Sequence, residues 1–242
     1  MTPDLTQDST ILPHSLTISL SHNRTILPLR AFVVASSPRS LKPDLHRPQP
    51  DDLVIAADGG ANLCDAWGWP VDEVVGDMDS VDSLVAAKLQ AAGVPFHGYP
   101  VEKDETDLEI ALHRALDLGA SEILIAGALG ARIDHTLGNL ALLALPALAA
   151  VSTCIIDGGQ AIWLVRSQLA VDGQPGDTLS LLPFGGDACG VTVTGVHWPL
   201  VEANLPLGPS LSISNRLEAF QAVVGVRTGA LLAIHIRAGA IE

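Results

Sequence analysis

The chain has 242 residues, 48% of them hydrophobic and only 4% aromatic, which excludes disorder as the default and leaves the core to Ala, Leu, Val and Ile. A formal net charge of −14 lacks the basic footprint of a nucleic-acid binder, yet it is compatible with small phosphorylated ligands if a divalent cation carries the positive charge they need. Three widely spaced cysteines, Cys64, Cys154 and Cys189, form no redox or metal-ligand pattern. No basic-then-apolar leader opens the sequence, so a reducing, cytoplasmic setting is expected.

Residues 1–28 read as an N-terminal extension, within which SLTISLS (15–21) alternates as a strand does. From 29 to 160, short apolar runs alternate with helical patterns. The expected strands are AFVVAS (31–36), LVIAAD (53–58), DEVVG (72–76), PFHGY (95–99), EILIAG (122–127) and TCIID (153–157). Most are continuous apolar runs, the pattern of strands buried on both faces. Helices are expected over 81–92, ending at Gly93, over 107–118, and over 137–149. The second opens on a capping box, Thr106 with Glu109, and closes at Gly119. The uncharged stretch 136–156 has the length of a membrane span, but Asn139, Pro146, Ser152 and Thr153 interrupt it. It divides into a buried helix and a buried strand, so no membrane contact is expected. From 161 to 242 only strand-like runs remain, among them AIWLV, TLSLLP, GVTVTGV, AVVGV and ALLAIHI, separated by Gly, Pro, Asp and Asn. The expected fold is therefore an α/β domain with an open, mostly parallel sheet (29–160), followed by an all-β sandwich domain (161–242).

Four polar clusters follow strands of the first domain: ADGGAN (57–62), GDMDS (76–80), EKDETD (102–107) and GALGARIDH (127–135). In an open parallel sheet, ligands bind at the carboxyl ends of the strands, where all four fall. Asp77, Asp79, Asp104 and Asp107 are hard oxygen ligands whose mutual repulsion calls for a cation among them, and Mg2+ with phosphate suits such a set. Gly59, Gly60, Gly127 and Gly130 let the backbone turn sharply and approach a ligand, and Arg132 offers a planar fork to a phosphate. Each piece alone has a bland reading, as a turn or a helix cap; their coincidence at one sheet edge favours a metal–phosphate site.

With those loops in view, the sequence resembles the thiamine pyrophosphokinases. ADGGAN, GDMDS, KDETD and GALGARIDHTLGN occur in that order, and GVHWPLVEANLPLGPSLSISNR (195–216) is similar to the family's aromatic-proline strand and Ser-Asn motif. The resemblance implies a homodimer with active sites between subunits. It also implies transfer of the pyrophosphoryl group of ATP to the hydroxyl of thiamine, giving thiamine diphosphate and AMP. Carried onto this chain, Asp77, Asp79 and Asp107 match the Mg2+-organising carboxylates. Asp58 and Asn62 match the first loop, near the nucleotide phosphates or the metal shell, and Asp104 and Thr106 match the helix-opening motif at the nucleotide. Arg132 and Asp134 match the motif facing phosphates and substrate. Ser214 and Asn215 match the pair that contacts the thiamine pyrimidine, with Trp198 placed to stack on it. Asp107, Asp104 and Asp134 stay open as acceptors of the hydroxyl proton.

The sequence departs from the family pattern at Ala131, at Arg216 after the Ser-Asn pair, and at Ser36-Ser37-Pro38 after the first strand. The alternatives are a pyrophosphokinase for another alcohol, such as a hydroxymethyl pterin, and a non-catalytic sensor of nucleotide or thiamine diphosphate.

Overall fold

A computed structural model describes residues 28–44, 46–130 and 132–240. The strand expected over 15–21 lies outside the described residues. Six strands run parallel in one sheet: β1 (Leu29–Val34), β2 (Leu53–Ala57), β3 (Glu73–Gly76), β4 (Phe96–Gly98), β5 (Ala120–Ala126) and β6 (Ser152–Asp157). All six coincide with expected runs. Their helices are α1 (Gly60–Trp67), α2 (Ser83–Ala91), α3 (Asp107–Asp117) and α4 (Ile133–Leu142).

The period-2 alternation of the strands sorts their side chains onto two faces. Ala31, Val33, Ile55 and Val75 pack with Leu108, Ala111, Leu112 and Ala115 of α3 on one face. Phe32, Val34, Val54 and Val74 pack with Ala61 and Cys64 of α1 on the other. Phe32, Ile55, Ile123 and Ile125 are fully buried, and each contributes roughly 1.5–3 kcal/mol of transfer free energy.

The second half of the chain adds β7 (Gln160–Val165), β8 (Gln168–Asp172), β9 (Thr178–Pro183), β10 (Ala188–Thr194), β11 (Leu200–Leu205), β12 (Asn215–Arg216), β13 (Gln221–Gly225) and β14 (Leu231–Ile236). They do not form two new sheets. Four of them extend the parallel sheet by antiparallel pairing, giving the ten-stranded order β12-β9-β14-β7-β6-β5-β1-β2-β3-β4. The other four form an antiparallel sheet, β11-β10-β13-β8. The sandwich core lies between this sheet and the antiparallel half of the large one, and includes Val165, Leu179, Leu181, Val191, Val193, Val224 and Leu231.

Three expectations need correction. A helix, α1, stands where the ADGGAN segment reads as a turn. The third helix runs over Ile133–Leu142, not 137–149; a 3-10 turn at Pro146–Leu148 follows, because proline cannot continue an α-helix. That helix is also not buried. None of its residues is buried, and Ile133 and Leu137 are 74% and 61% exposed. Among the described residues, no helix is long and apolar enough to cross a membrane.

Candidate active site

The chain steps from β1 outward through β2, β3 and β4, then returns to place β5 on the other side of β1. The carboxyl ends of β1 and β5 therefore splay apart, the arrangement that opens a ligand crevice. A cleft of ≈ 380 Å³ lies there. It is lined by the Ser36-Ser37-Pro38 segment after β1, Asp77 after β3, Lys103, Thr106 and Asp107 at the start of α3, and Gly127, Gly130 and Arg132 after β5.

Asp77 and Asp107 of its lining, with Asp58 behind them, bring their carboxylate oxygens within 4.8 Å of one another. Neighbouring strands create this group. Asp58 follows β2, its backbone N–H donates to Val75 O of β3 at 2.8 Å, and its backbone is held at φ 46° with the side chain buried. Gly76 makes room for it: a Cβ there would stand 3.0 Å from both Asp107 Oδ1 and Asp58 Cβ, on a backbone at φ +143°. Gly60 permits an equally close approach beside it, since a Cβ would fall 1.9 Å from Val34 O.

Two of the three acids, Asp77 and Asp107, share one cation. Lys103 Nζ donates to Asp77 Oδ2 at 3.3 Å and lies 3.0 Å from Asp107 Oδ1. The second contact is an ion pair without hydrogen-bond geometry, so Asp107 Oδ1 is a buried oxygen that accepts no hydrogen bond. Burial pushes the Asp107 carboxyl above its ordinary range; Lys103 opposes this, while Asp77 and Asp58 add to it. Asp77 is held below the usual range, first by the backbone N–H of Asp79 and then by Lys103, against a desolvation penalty.

Other expected site residues have distinct placements. Asp79 is exposed, accepts from the Ser80 hydroxyl at 2.7 Å, and is not part of the three-carboxylate group; Asp58 completes it instead. Asp104 is exposed and does not line the cleft. Asn62 braces α1 against the β3–α2 loop, donating to Ser80 O and accepting from Asp82 N, both at 2.9 Å. Gly59 packs its backbone on Ser36 and Ser80. Thr106 caps α3 by accepting from Glu109 N at 3.3 Å, which aims the helix N-terminus into the cleft. Arg132 and Asp134 pair with each other through two contacts, at 3.1 and 2.5 Å, and both are exposed. The Arg132 guanidinium and the His135 backbone N–H hold the Asp134 carboxyl down at about 2.

Two serines, Ser37 of the segment after β1 and Ser40, for which the sequence gives no signal, tie that segment to the loop after β5. Ser37 and Ser40 both donate to Leu129 O, at 2.6 and 2.8 Å, and the Ser40 hydroxyl also accepts from Leu129 N at 3.2 Å. The Gly127–Gly130 loop is thus clamped to the segment after β1. Lys103 was missed as well, although it is the only lysine or arginine between Lys88 and Arg114 and sits in an acidic run.

Trp198, Ser214 and Asn215 do not line this cleft. They gather at β12, the far end of the ten-stranded sheet. Asn215 spends its amide on the backbone: Oδ1 accepts from Trp198 N at 3.1 Å and Nδ2 donates to Trp198 O at 2.8 Å. It therefore fixes the Trp198 backbone, while the indole stays 59% exposed. Ser214 adopts φ 61°, and its N–H donates to the Ser180 hydroxyl at 2.9 Å. Leu211 and Ile213, just before Ser214 in the chain, are exposed as well, at 62% and 46%.

Residues 48–156 match the family model described as the catalytic domain of thiamin pyrophosphokinase, and residues 166–232 match that of its vitamin B1 binding domain. A curated relative, the thiamine pyrophosphokinase of Bacillus subtilis strain 168, is 33% identical over 206 residues, covering 84% of this chain and 96% of the relative. The chain belongs to the thiamine pyrophosphokinase family. A crystal structure of thiamine pyrophosphokinase from Bacillus subtilis superposes with a TM-score of 0.78 at 29% identity, covering 86% of this chain and 99% of that one. One of thiamin pyrophosphokinase from Geobacillus thermodenitrificans gives 0.76 at 27% identity, over 88% and 100%. The catalytic-domain match of the family contains the three-carboxylate group, and the B1-binding match contains Trp198, Ser214 and Asn215.

Proposed function

We propose that this protein transfers the pyrophosphoryl group of ATP to the hydroxyl of thiamine, giving thiamine diphosphate and AMP, with Mg2+ as the required ion. The carrying observation is the Asp58–Asp77–Asp107 group, two of whose members line the switch-point cleft, in a thiamine pyrophosphokinase fold. In the reaction the thiamine oxygen forms a bond to the β-phosphorus, the bond from that phosphorus to the α-phosphate bridging oxygen breaks, and the hydroxyl proton leaves to a base.

The residues suit Mg2+. Three hard carboxylates converge, and one buried oxygen, Asp107 Oδ1, accepts no hydrogen bond. When bound, Mg2+ supplies charge neutralisation for the transferring phosphates. Asp58, Asp77 and Asp107 would hold it, with Asp79 beside them at the loop. The chain's own part is then positioning. The N-terminus of α3 and the Gly127–Gly130 backbone offer N–H groups to phosphate oxygens, and Arg132 adds a guanidinium at the rim. Of the three candidate proton acceptors, Asp134 is a weak base at about 2 and Asp104 lies outside the cleft lining. Asp107 is in the cleft and raised, although holding a cation and accepting a proton compete for its oxygens.

One chain does not supply the whole site. Trp198 and Asn215 lie by β12 and the carboxylates by β2 and β3, eight strand steps from β12 to β3, or about 38 Å along the sheet at ~4.8 Å per step. That is far beyond the length of one thiamine molecule. We therefore infer a homodimer in which the Trp198 surface of one copy meets the cleft of the other. The exposed apolar groups at both places, Ile133 and Leu137 of α4 and Trp198, Leu211 and Ile213, support this reading. Three free cysteines, Cys64 and Cys154 buried with thiols pushed up to about 12, are in keeping with a reducing, cytoplasmic setting. The domain boundary is taken near residue 160, at the turn from β6 to β7.

The test is a product assay. Purified protein with ATP, Mg2+ and thiamine is expected to form thiamine diphosphate and AMP together, and neither when chelator is added or thiamine is left out. AMP formation with a hydroxymethyl pterin but not with thiamine would replace the acceptor.

A further inference from the structure

Lys103 stands inside the carboxylate group, and nothing about a fixed structural ion pair explains its surroundings. Its ammonium contacts Asp77 Oδ2 and Asp107 Oδ1, donates to Pro100 O at 3.0 Å, and has a side chain only 12% exposed. One ammonium contacts two of three converging carboxylates, so the group carries more negative charge than Lys103 balances, and its contact with Asp107 Oδ1 lacks hydrogen-bond geometry. Lys103 is also on the loop between β4 and α3, carried by a flexible four-carbon stem, and it lines the same cleft as Arg132 and the Gly127–Gly130 loop. Arg132 is already engaged with Asp134. A cleft that takes a polyphosphate needs a further cation that is free to turn toward it.

We propose that Lys103 is an exchangeable counter-ion: it neutralises the Asp58–Asp77–Asp107 group in the metal-free protein, yields that place to a divalent cation, and then binds the phosphates of the nucleotide. This rests on the metal–nucleotide reading above. Lys103 thereby keeps the carboxylates together before the ion arrives and gives the cleft its second cation only once the ion is in place. Electrostatics sets the direction, since an ammonium and a divalent cation repel at the distance the group allows.

The experiment uses the full chain and two variants, Lys103→Met and Lys103→Arg, with MgCl2 alone as the first probe at one fixed pH. Metal-free Lys103→Met is expected to melt below the wild type, and Mg2+ is expected to raise its Tm by more than it raises that of the wild type. Calorimetric titration without nucleotide should give about tenfold tighter Mg2+ binding for Lys103→Met. In the assay with ATP and Mg2+, KM for ATP should rise about tenfold in Lys103→Met and be largely restored in Lys103→Arg, because a second cation replaces the first. The wild type supplies a readout independent of any variant. Acylation of Lys103 by an amine-reactive reagent, mapped by mass spectrometry, should increase severalfold when Mg2+ is added. Equal Mg2+ shifts in wild type and Lys103→Met, or labelling of Lys103 that Mg2+ leaves unchanged, overturns the exchange while leaving the metal reading standing. Mg2+ that shifts neither protein and does not bind overturns both.

Discussion

Asp177 is buried and Asp107 half-buried, and their surroundings are opposite. Asp177, just before β9, has every oxygen occupied. Oδ1 accepts from Ala238 N, and Oδ2 accepts from Gln174 N and faces His235 Nε2, each at 2.9 Å. Burial alone pushes its carboxyl up, but those two N–H groups and His235 outweigh it and hold it below the ordinary range. Asp107 has one buried oxygen whose partner is the Lys103 ammonium at 3.0 Å, in an ion pair without hydrogen-bond geometry, and two acids beside it; its carboxyl is raised. A buried acid that is fully satisfied belongs to the fold. A half-buried acid crowded by two others, with one ammonium nearby, belongs to a site that suits a divalent cation.

That contrast can be broken from either side. The largest effect is expected at the crowded end. Asp107→Asn should lower kcat/KM for the pyrophosphoryl transfer by roughly a thousandfold or more, about 4 kcal/mol of transition-state stabilisation. The same variant should raise the metal-free Tm, since it removes a charge that burial and two neighbours disfavour. At the satisfied end the signs reverse. Asp177→Ala should cost about 3–4 kcal/mol in denaturant unfolding, because His235 and two backbone N–H groups lose their partner, while kcat stays near wild type.

Asp177 also sets a pH dependence. Its folded value lies below its unfolded value, so its contribution to stability is present above the unfolded value, about 3.9, and is lost as pH falls through the lower folded value. Acid unfolding curves of Asp177→Asn and wild type should therefore converge in that window and separate above it.

Gly76→Ala sits between the two cases. Its Cβ would meet Asp107 and Asp58 at 3.0 Å, so roughly 1–3 kcal/mol of strain falls directly on the site, and kcat should drop with Tm. The smallest effect is expected for Ser40→Ala. It removes the hydroxyl that both donates to and accepts from Leu129, at a cost of about 1 kcal/mol, and should raise KM for ATP more than it lowers kcat.

Much of this arrangement was legible in the sequence. β1 to β6 stand where continuous apolar runs predict buried strands, and the polar clusters after β2, β3, β4 and β5 follow their carboxyl ends. The misses have physical causes. Asp58-Gly59-Gly60 reads as a turn, but Gly60 starts α1 because only a glycine fits against Val34 O. The apolar residues of α4 read as core, yet Ile133 and Leu137 face out, because hydrophobicity alone does not say which face of a helix meets the sheet. β8 has no clear signal in the sequence because it is a half-exposed edge strand of the small sheet, without a long apolar run. Spacing pairs Asp77 with Asp79, whereas the structure pairs it with Asp58, which is 19 residues away along the chain (77 − 58) and adjacent only because β2 and β3 are neighbours. Lys103 offered one signal, a lone cation in an acidic run, and its partners became visible only in three dimensions.

The central claim is that the carboxylates of one copy and the Trp198 surface of another make one site. A heterodimer tests it most directly. Asp107→Asn and Trp198→Ala chains, each inactive in its own homodimer, would be co-expressed with different tags and the mixed dimer purified. If the site lies between subunits, one of its two sites is intact, and about half of the wild-type activity per dimer is expected. If each chain carries its own complete site, both are damaged, and an inactive heterodimer would contradict the account.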